Sequence, residues 1–228
     1  CDTQVALEGT AVRHALAAMV DALGGLVAVR SSAVGEDSAT ASFAGQHATV
    51  LGVTTVEGMI DALREVYASA NTASAAAYRE KLGLDLAPSM GVVVQRLIRA
   101  DAAGVLFNRD PITREDVRVI EASWGLGEAV VQGLVTPDSF RVARGGRILA
   151  RQPGDKDLMI SWAEDGGTQE RPVEGARVTA LCLSDAHLGA LDAMCTRCEG
   201  VFSGTQDLEF AVVGDTVHLL QRRAITRG

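Results

Sequence analysis

The sequence predicts an α+β protein in which helices are interspersed with antiparallel strands. Two pairs of strand-like segments are joined by short glycine turns, at Gly145-Gly146 and at Gly214-Asp215, as in β-hairpins. Other segments carry apolar residues three and four positions apart, as amphipathic helices do. Neither a Walker phosphate loop nor a dinucleotide fingerprint is present, because the closest match, at residues 125–128, has no third glycine at the right spacing. A doubly wound parallel sheet is therefore not expected.

The first part of the chain predicts a helix, a strand, a long loop, a second strand and a second helix. Apolar spacing predicts the first helix over residues 5–23, and a short buried strand follows over 26–30. The loop after Arg30 is rich in Gly, Ala and Ser, and a loop of this length usually holds a ligand or is disordered. Residues 47–53 are expected to return as a strand, and residues 56–77 to form the second helix.

The remainder predicts mostly strands, with one long helix near the end. We expect that helix over residues 183–199, with Ser184 as its N-cap, and a short helix within 124–133. Residues 151–178 are polar and are expected to be irregular, and His187 is expected to be a surface or packing residue. The expected strands cover residues 90–98, 104–107, 117–122, 140–143, 147–150, 207–213 and 217–221.

Composition and charge limit the classes of protein to which this chain could belong. The chain has 228 residues, 47% of them hydrophobic, which is enough for one large domain or two lobes. A net charge of -8 disfavours nucleic-acid binding, which normally needs a basic surface. No apolar run reaches the roughly 18–20 residues of a membrane span, and no signal peptide is visible. We expect a cytoplasmic protein with no membrane partner. Because the chain opens on Cys1 instead of methionine, we also expect a fragment or a processed chain.

Two of the four cysteines, Cys195 and Cys198, have the spacing of half a zinc site or of a redox pair. No second pair and no nearby histidine completes a set of four metal ligands. We therefore favour the simpler alternative, reduced cysteines on a helix of a cytoplasmic protein.

The last predicted hairpin could carry a metal–phosphate site. Glu209 and Gln221 lie on adjacent strands, and a suitable register would place their side chains side by side. A carboxylate and an amide oxygen suit Mg²⁺, which prefers oxygen ligands and bridges phosphates. Arg223 points to the same face as Gln221 by strand alternation and could bind phosphate through its guanidinium fork. The alternative is a solvated strand pair with an ordinary surface Glu–Arg contact.

The loop after the first strand suggests a second phosphate contact. Arg30 stands at a strand end, and the backbone N–H groups of residues 42–46 could form an anion-binding nest over a phosphate. Gly45 would permit a close approach of the ligand, because it has no side chain.

Six segments occur in an order that resembles a known family. They are "VRSSAVGEDSATASFAGQHAT", "YREKLG", "MGVVVQRLI", "AGVLFNRDP", "ASWGLGEAVVQGLVTPDSF" and "QDLEFAVVGDTVHLLQRRAIT". Together they resemble the nucleotide-binding domain shared by phosphoenolpyruvate synthase, pyruvate phosphate dikinase and rifampin phosphotransferase. The resemblance covers nearly the whole chain and is weakest over residues 151–200. It implies an ATP-grasp fold of mixed sheets with flanking helices, in two lobes around a nucleotide cleft. We place the first lobe at about residues 1–94 and the second at about 95–228.

The resemblance also implies the cofactors, ATP and Mg²⁺, and the residues that bind them. It implies that the catalytic arginines Arg30 and Arg223 contact the ATP phosphates, and that Glu209 and Gln221 hold Mg²⁺. The implied nucleotide-binding residues are Arg30, Gly45, Thr49, Gln95, Leu97, Glu209, Gln221 and Arg223. Gln95 could instead be a core glutamine and Thr49 an ordinary strand residue. We expect the segment at residues 124–133 and Asp138 to have structural roles, and Lys156 not to be the phosphate-binding lysine of the family.

The family's chemistry implies partners outside this sequence. ATP is cleaved to AMP, and phosphoryl groups pass through a mobile histidine to pyruvate, a rifamycin-like molecule or another small acceptor. We expect the phosphohistidine and acceptor-binding domains, and an N-terminal segment with the phosphate-binding lysine, in the parent chain or in trans. The chain alone is expected to bind Mg-ATP weakly and to turn nothing over. Two alternatives remain: a non-catalytic nucleotide-binding module that works with partner chains, and an ATP-driven condensing enzyme of secondary metabolism.

Overall fold

The computed structural model describes residues 9–33, 37–38, 41–42, 48–69, 72 and 90–225. The chain divides into two compact units. Unit 1 comprises residues 1–97 and 162–168, and unit 2 comprises residues 98–161 and 169–228. Helices and antiparallel sheets are mixed along the chain, which confirms the predicted α+β class.

Unit 1 contains a three-stranded antiparallel sheet in the order β4-β1-β5, and a short β2–β3 ladder. Two helices supply the apolar residues that cover one face of the larger sheet. The elements are α1 (Thr10–Ala22), β1 (Val27–Ala33), β2 (Asp37–Ser38), β3 (Ala41–Ser42), β4 (Thr49–Val53), α2 (Val56–Ser69) and β5 (Met90–Arg96).

Strand alternation decides which face of this sheet is apolar. Val27 and Val29 of β1 are fully buried in one cluster with Met59 and Val66 of α2. Ala28 and Arg30, which alternate with these valines along β1, therefore belong to the opposite face.

Unit 2 contains a six-stranded antiparallel sheet in the order β13-β12-β6-β7-β8-β9. One long helix, α4, contributes its apolar side to the core on one face of this sheet. The elements are β6 (Ala102–Phe107), β7 (Val117–Trp124), α3 (Glu128–Val131), β8 (Asp138–Ala143), β9 (Ile148–Gln152), β10 (Leu158–Trp162), β11 (Thr168–Pro172), α4 (Asp185–Val201), β12 (Gln206–Val213) and β13 (Thr216–Ala224). Strands β10 and β11 form a separate two-stranded sheet, and their end residues Trp162 and Thr168 belong to unit 1.

The core of unit 2 is built from alternate residues of the sheet and one side of α4. Its fully buried members include Leu106, Ile120, Phe140, Leu208, Phe210, Leu188 and Leu191. Burying a side chain of this size stabilises the fold by about 1.5–3 kcal/mol. The opposite face of the sheet, which we call the open face, is the one that α4 does not cover.

The prediction that residues 151–178 are irregular was wrong, because this range contains strands. β9 continues to Gln152, and β10 and β11 form a hairpin that turns at Gly166-Gly167, both with positive φ. Four of the five side chains of β11 are exposed, so no apolar alternation marks it as a strand. Local pairing across a glycine turn makes it one instead.

Both early helices were predicted with longer boundaries. The first is described from Thr10 to Ala22 and ends before Gly24 and Gly25, which have positive φ. The second is described from Val56 to Ser69, and residues 70–71 of its predicted extent lie outside the described residues. Residues 5–8 and 73–77 lie outside the described residues.

Candidate functional site

The last hairpin brings the predicted metal-ligand residues together. Glu209 on β12 is the direct cross-strand partner of Gln221 on β13, and Asp207 is the partner of Arg223. Directly opposite residues in an antiparallel pair share a face. Leu208 and Phe210 point to the core beneath α4, so these four polar residues belong to the open face.

A β-bulge creates this register. The turn pairs Val213 with Thr216, and continuing that pairing without interruption would set Leu220 opposite Glu209. The register instead shifts between Glu209 and Phe210, which gives β13 one extra residue. Phe210 therefore pairs with Leu219 while Glu209 pairs with Gln221.

Two of these four residues, Arg223 and Glu209, form an ion pair. Arg223 Nη2 lies 3.0 Å from Glu209 Oε1, and their side chains are 24% and 16% exposed. The Glu–Arg contact that the sequence suggested is therefore present, but it is largely withdrawn from water and lies beside an amide group. Carboxylate and amide oxygens next to a guanidinium fit a magnesium-bound phosphate, because the oxygens suit the metal and the guanidinium suits the anion.

Three further predicted residues share one face of the sheet in unit 1. Arg30 pairs with Thr49 across β1 and β4, and Ala28, two residues before Arg30, pairs with Gln95 on β5. Arg30, Thr49 and Gln95 therefore belong to the face opposite the helices. Arg30 and Gln95 are half-buried and Thr49 is exposed.

Leu97 is placed so that only part of its backbone is open to a ligand. Its N–H donates to the carbonyl oxygen of Leu26 at 3.0 Å, which extends the β1–β5 pairing by one bond. A backbone contact from Leu97 to a nucleotide would therefore come from its carbonyl oxygen. Gly45 lies outside the described residues, and so do residues 43–46 of the nest expected over residues 42–46.

Asp207 is the residue that sequence reasoning missed at this site. It lies on the open face one pair away from Glu209, directly opposite Arg223. The signal was the alternation Asp-Leu-Glu at 207–209, which places two carboxylates on one face of a strand.

Asp138 and Lys156 form a fully buried ion pair in unit 2. Asp138 also accepts hydrogen bonds from the backbone N–H of Gly154 at 2.8 Å and of Cys182 at 2.7 Å. Gly154 lies in the loop before β10 and Cys182 in the segment before α4. The Asp138 carboxylate therefore connects both segments by hydrogen bonds to the start of β8. This arrangement supports a structural role for Asp138, and Lys156 is engaged in the interior.

Trp124 also has a structural environment. Its indole Nε1–H donates to the carbonyl oxygen of Arg177 at 3.0 Å, and the Arg177 guanidinium stacks 4.4 Å above the ring. The ring packs against the core of unit 2. The short helix α3 begins four residues later, as the sequence predicted.

The Cys-x-x-Cys motif lies on α4 with both thiols buried. Burial raises the pKa of Cys195 to about 12, which keeps the thiol protonated at neutral pH. Within the described part of the chain, no three His, Cys, Asp or Glu side chains are grouped as a metal site would require. The position of both cysteines on a helix is confirmed, and their reduced state stays a prediction.

His187 has a more specific place than the sequence suggested. Ser184 is the N-cap of α4, as predicted, and its hydroxyl accepts a hydrogen bond from the His187 N–H at 3.2 Å. The ring Nδ1 accepts in turn from the Ser184 N–H, so a histidine completes the capping box. Its Nε2 lies 2.9 Å from the Gly214 carbonyl oxygen at the hairpin turn.

None of the helices in the described residues has the length and apolar character needed to span a membrane.

Comparison with known proteins identifies the family. A profile of the pyruvate phosphate dikinase AMP/ATP-binding domain matches residues 7–228. The chain is 42% identical over 202 residues to a probable phosphoenolpyruvate synthase of Methanothermobacter thermautotrophicus. It is 41% identical over 201 residues to a rifampicin phosphotransferase of a Streptomyces species, and 38% identical over 202 residues to the phosphotransferase YvkC of Bacillus subtilis.

These matches cover 88%, 87% and 88% of this chain but only 29%, 23% and 24% of the respective relatives. The chain thus spans less than a third of the length of each of these three relatives. The profile covers far more than half of the sequence, and the chain belongs to the pyruvate phosphate dikinase AMP/ATP-binding domain family.

Proposed function

We propose that this chain is the Mg-ATP-binding domain of a dikinase-type phosphotransferase with an ATP-grasp fold. Its first lobe would cover about residues 1–94 and its second about 95–228. In this proposal ATP is cleaved to AMP, and the transferred phosphoryl group passes through a phosphohistidine domain in the parent chain or in trans. The observation that carries the proposal is the bulge in the last hairpin, which sets Gln221 and Glu209 side by side with Arg223.

The residues present fit a magnesium ion. Glu209 and Gln221 are the ones that would hold it, because they offer hard oxygen atoms from two paired strands on the open face. When bound, Mg²⁺ neutralises charge on the nucleotide phosphates. Most magnesium sites of this kind use one or two protein ligands, with phosphate and water completing the shell.

The arginines supply the remaining positive charge. Phosphoryl transfer depends mainly on positioning and on stabilising developing negative charge. Arg223 is held beside Glu209 and offers a guanidinium that suits a phosphate oxygen pair. We also propose that Arg30 contacts an ATP phosphate; the face of its own sheet in unit 1 also carries Thr49 and Gln95. We assign Thr49 and the Leu97 carbonyl to nucleotide contacts, and Gln95 to the adenine.

The acceptor is proposed from the relatives. Those named phosphoenolpyruvate synthase and rifampicin phosphotransferase suggest pyruvate or a rifamycin-like molecule as the final acceptor. Acceptor binding would require regions beyond this chain, since the relatives are several times longer.

The test uses the full-length protein. We expect Glu209→Gln and Arg223→Met each to reduce AMP formation by about 100-fold or more, as loss of a transition-state charge contact does. Glu170→Gln and Arg171→Met are matched controls, because both residues are exposed on β11. ATP binding is measured by calorimetry, and AMP and phosphate release with pyruvate, with rifampicin and with neither.

The outcomes separate the alternatives. Nucleotide binding that depends on Glu209 without any AMP formation would favour a non-catalytic module. Equal ATP affinity and AMP formation in Glu209→Gln, Arg223→Met and the controls would refute the proposed site.

A further inference from the structure

The turn between β12 and β13 is held on two sides by side chains from other elements of unit 2. The N–H of Gly214 donates to Asp101 Oδ2 at 2.8 Å. The carbonyl oxygen of Gly214 lies 2.9 Å from Nε2 of His187, in the first turn of α4. Both backbone polar groups of one turn residue are therefore bound to side chains outside the hairpin.

The tautomer of His187 follows from its two contacts. Its Nδ1 accepts a hydrogen bond from the Ser184 N–H at 3.2 Å, so Nδ1 carries no proton. A neutral imidazole then has its proton on Nε2, and a carbonyl oxygen can only accept. His187 therefore donates from Nε2 to Gly214, and a single ring connects the N-cap of α4 with the hairpin turn.

Asp101 holds the β12 side of the turn. Its N–H donates to the Val212 carbonyl oxygen at 2.8 Å, and its carboxylate accepts from Gly214, two residues further on. Asp101 directly precedes β6, whose first residue, Ala102, pairs with Val212. The end of β12 is thus fixed to the start of β6, while His187 fixes the turn to α4.

The other end of the hairpin is held as well. β13 lies at one end of the strand order, so β12 is its only neighbour in this sheet within the described part of the chain. The Ile225 N–H, just after β13, donates to the carbonyl oxygen of Thr205, just before β12, at 2.8 Å. Between the two held ends β12 has 8 residues and β13 has 9. The one residue in excess forms the bulge beside Glu209 and Gln221.

A turn that is not held would offer this extra residue another place. A three-residue loop over residues 214–216 would leave equal numbers of residues in the two strands, with no bulge. Phe210 would then pair with Leu220. Glu209 would keep Gln221 as its partner, but without the bend and the added twist that a bulge gives its strand. The bulge therefore sets the angle at which these two side chains meet.

We propose that His187 is a positioning residue of the metal–phosphate site. By holding Gly214 it keeps the turn at two residues and the extra residue in the bulge, which aims Gln221 and Glu209 at one cation. Asp101 acts with it from the opposite side of the turn. This inference rests on the proposed function, because it concerns the residues assigned there to Mg²⁺.

An isosteric pair of variants of the full-length protein tests the hydrogen bond that His187 donates. His187→Glu keeps an acceptor for the Ser184 N–H, as in an ordinary capping box, but has no donor for Gly214. We expect it to weaken binding of a non-hydrolysable ATP analogue with Mg²⁺ about tenfold, as loss of a group that supports metal ligands does. Calorimetry measures the affinity. His187→Gln has both an acceptor and a donor and should recover most of it.

Ala186→Glu is the control for charge. It adds a carboxylate at an exposed neighbour in the same turn of α4 and should bind the analogue as the wild type does. A loss of affinity in Ala186→Glu equal to that in His187→Glu would show that charge, and not the lost donor, causes the effect, and would overturn the inference.

Amide hydrogen exchange in the ligand-free protein reports on the turn itself. His187→Glu should speed exchange over residues 216–220 and leave the start of α4 protected, because the cap is kept. Ser184→Ala should do the reverse, since it frees the His187 N–H but leaves Gly214 held, and its affinity for the analogue should equal that of the wild type. If Ser184→Ala loses as much affinity as His187→Glu, the histidine only stabilises the helix and the inference is wrong.

Asp101 gives an independent check from the other side of the turn. Asp101→Ala removes the acceptor for the Gly214 N–H, and we expect faster exchange in β13 and weaker analogue binding, as in His187→Glu. Asp101→Asn retains a side-chain oxygen and should recover both. Unchanged exchange in β13 in both Asp101→Ala and His187→Glu would show that these bonds do not hold the turn, which contradicts the inference.

The same measurements separate this inference from the proposed function. If the wild type does not bind the analogue with Mg²⁺, or if Glu209→Gln binds it equally well, the proposed function fails and this inference fails with it. If Glu209→Gln loses affinity while His187→Glu keeps it despite faster exchange in β13, the nucleotide site stands and only the positioning role of His187 is refuted.

Discussion

Arg114 adopts a left-handed backbone conformation, with φ of 65°, which is uncommon for a residue with a side chain. It lies in the β6–β7 connection, where its carbonyl oxygen accepts a hydrogen bond from Arg109 at 2.9 Å. The neighbouring Asp110 holds the turn by accepting from the N–H groups of Ile112 and Thr113, both at 2.8 Å. The loop therefore imposes a conformation that only glycine adopts without cost.

Replacing Arg114 with glycine should stabilise the protein. We expect the free energy of unfolding to rise by about 0.5–1 kcal/mol, because the relief of the left-handed conformation exceeds the added chain entropy. Urea unfolding measures the change. As a control, Arg197→Gly on an exposed position of α4 should lower the same quantity by about 1 kcal/mol. A decrease in Arg114→Gly would show that the arginine side chain stabilises the loop.

Gly52 shows a different requirement for glycine, close backbone approach. A Cβ at this position would lie 2.2 Å from the Gly167 carbonyl oxygen, and its φ is 76°. The Gly167 N–H donates to the Gly52 carbonyl oxygen at 2.8 Å, so the two backbones are in direct contact within unit 1.

Gly52→Ala should therefore destabilise unit 1 by more than its φ alone requires. We expect a loss of about 3 kcal/mol or more, because neither backbone can yield without breaking a hydrogen bond. Gly25→Ala isolates the φ effect, since Gly25 has φ of 78° but nothing within 4 Å of a Cβ, and it should cost about 1–2 kcal/mol. Equal losses in thermal unfolding of the two variants would contradict the steric explanation.

At the scale of elements, a buried charge network fastens α4 to the sheet. Arg118 of β7 is fully buried and donates to Asp192 at 3.0 Å and to both oxygens of Glu199, at 2.8 and 2.7 Å. Arg144 donates to Glu199 as well, at 2.7 and 3.1 Å. Burial alone would raise the pKa of Glu199, but hydrogen bonds from the two arginines outweigh it and lower the pKa to about 2.

The lowered pKa of Glu199 predicts how the free energy of unfolding changes as the pH falls. The folded-state pKa of Glu199 lies below its unfolded value, near 4.3, so its stabilisation is complete above that value and is lost as pH falls toward 2. The loss amounts to about 3 kcal/mol by this linkage. Urea unfolding between pH 6 and pH 2 should show a smaller decrease in Glu199→Gln than in the wild type. Parallel curves for the two proteins would contradict the role assigned to this carboxylate.

At the scale of the whole molecule, ligand binding should appear as added stability. A ligand that binds only the folded state at 100 times its dissociation constant stabilises it by about 2.7 kcal/mol. We expect ATP with Mg²⁺ to raise the unfolding temperature of the full-length protein, and EDTA to cancel the rise. Glu209→Gln should show a much smaller rise, whereas Glu170→Gln should match the wild type. A rise that survives both EDTA and Glu209→Gln would place nucleotide binding elsewhere.

Many helices and hairpins could be predicted from the sequence, because short-range patterns such as apolar spacing, helix caps and glycine turns determine them. Apolar spacing predicted α1 and α2, the serine at 184 predicted the start of α4, and glycine turns predicted the two hairpins of the large sheet. The polar strand β11 was missed, since its side chains are mostly exposed and only pairing makes it a strand. The partners of Arg118 were equally hidden, because they lie 74 and 81 residues away in the chain.

For the candidate site too, some features could be predicted from the sequence and others only from the tertiary structure. The sequence alone determined which residue types could bind a metal and a phosphate, and that Gln221 and Arg223 alternate onto one side of a strand. Only the tertiary structure decided that Glu209 faces Gln221 instead of Leu220, because a bulge moves the register by one residue. The residues of the turn do not encode that shift. β12 is fixed in place by its pairing with β6 and by the burial of Phe210 beneath α4, so the extra residue is accommodated by a bulge in β13.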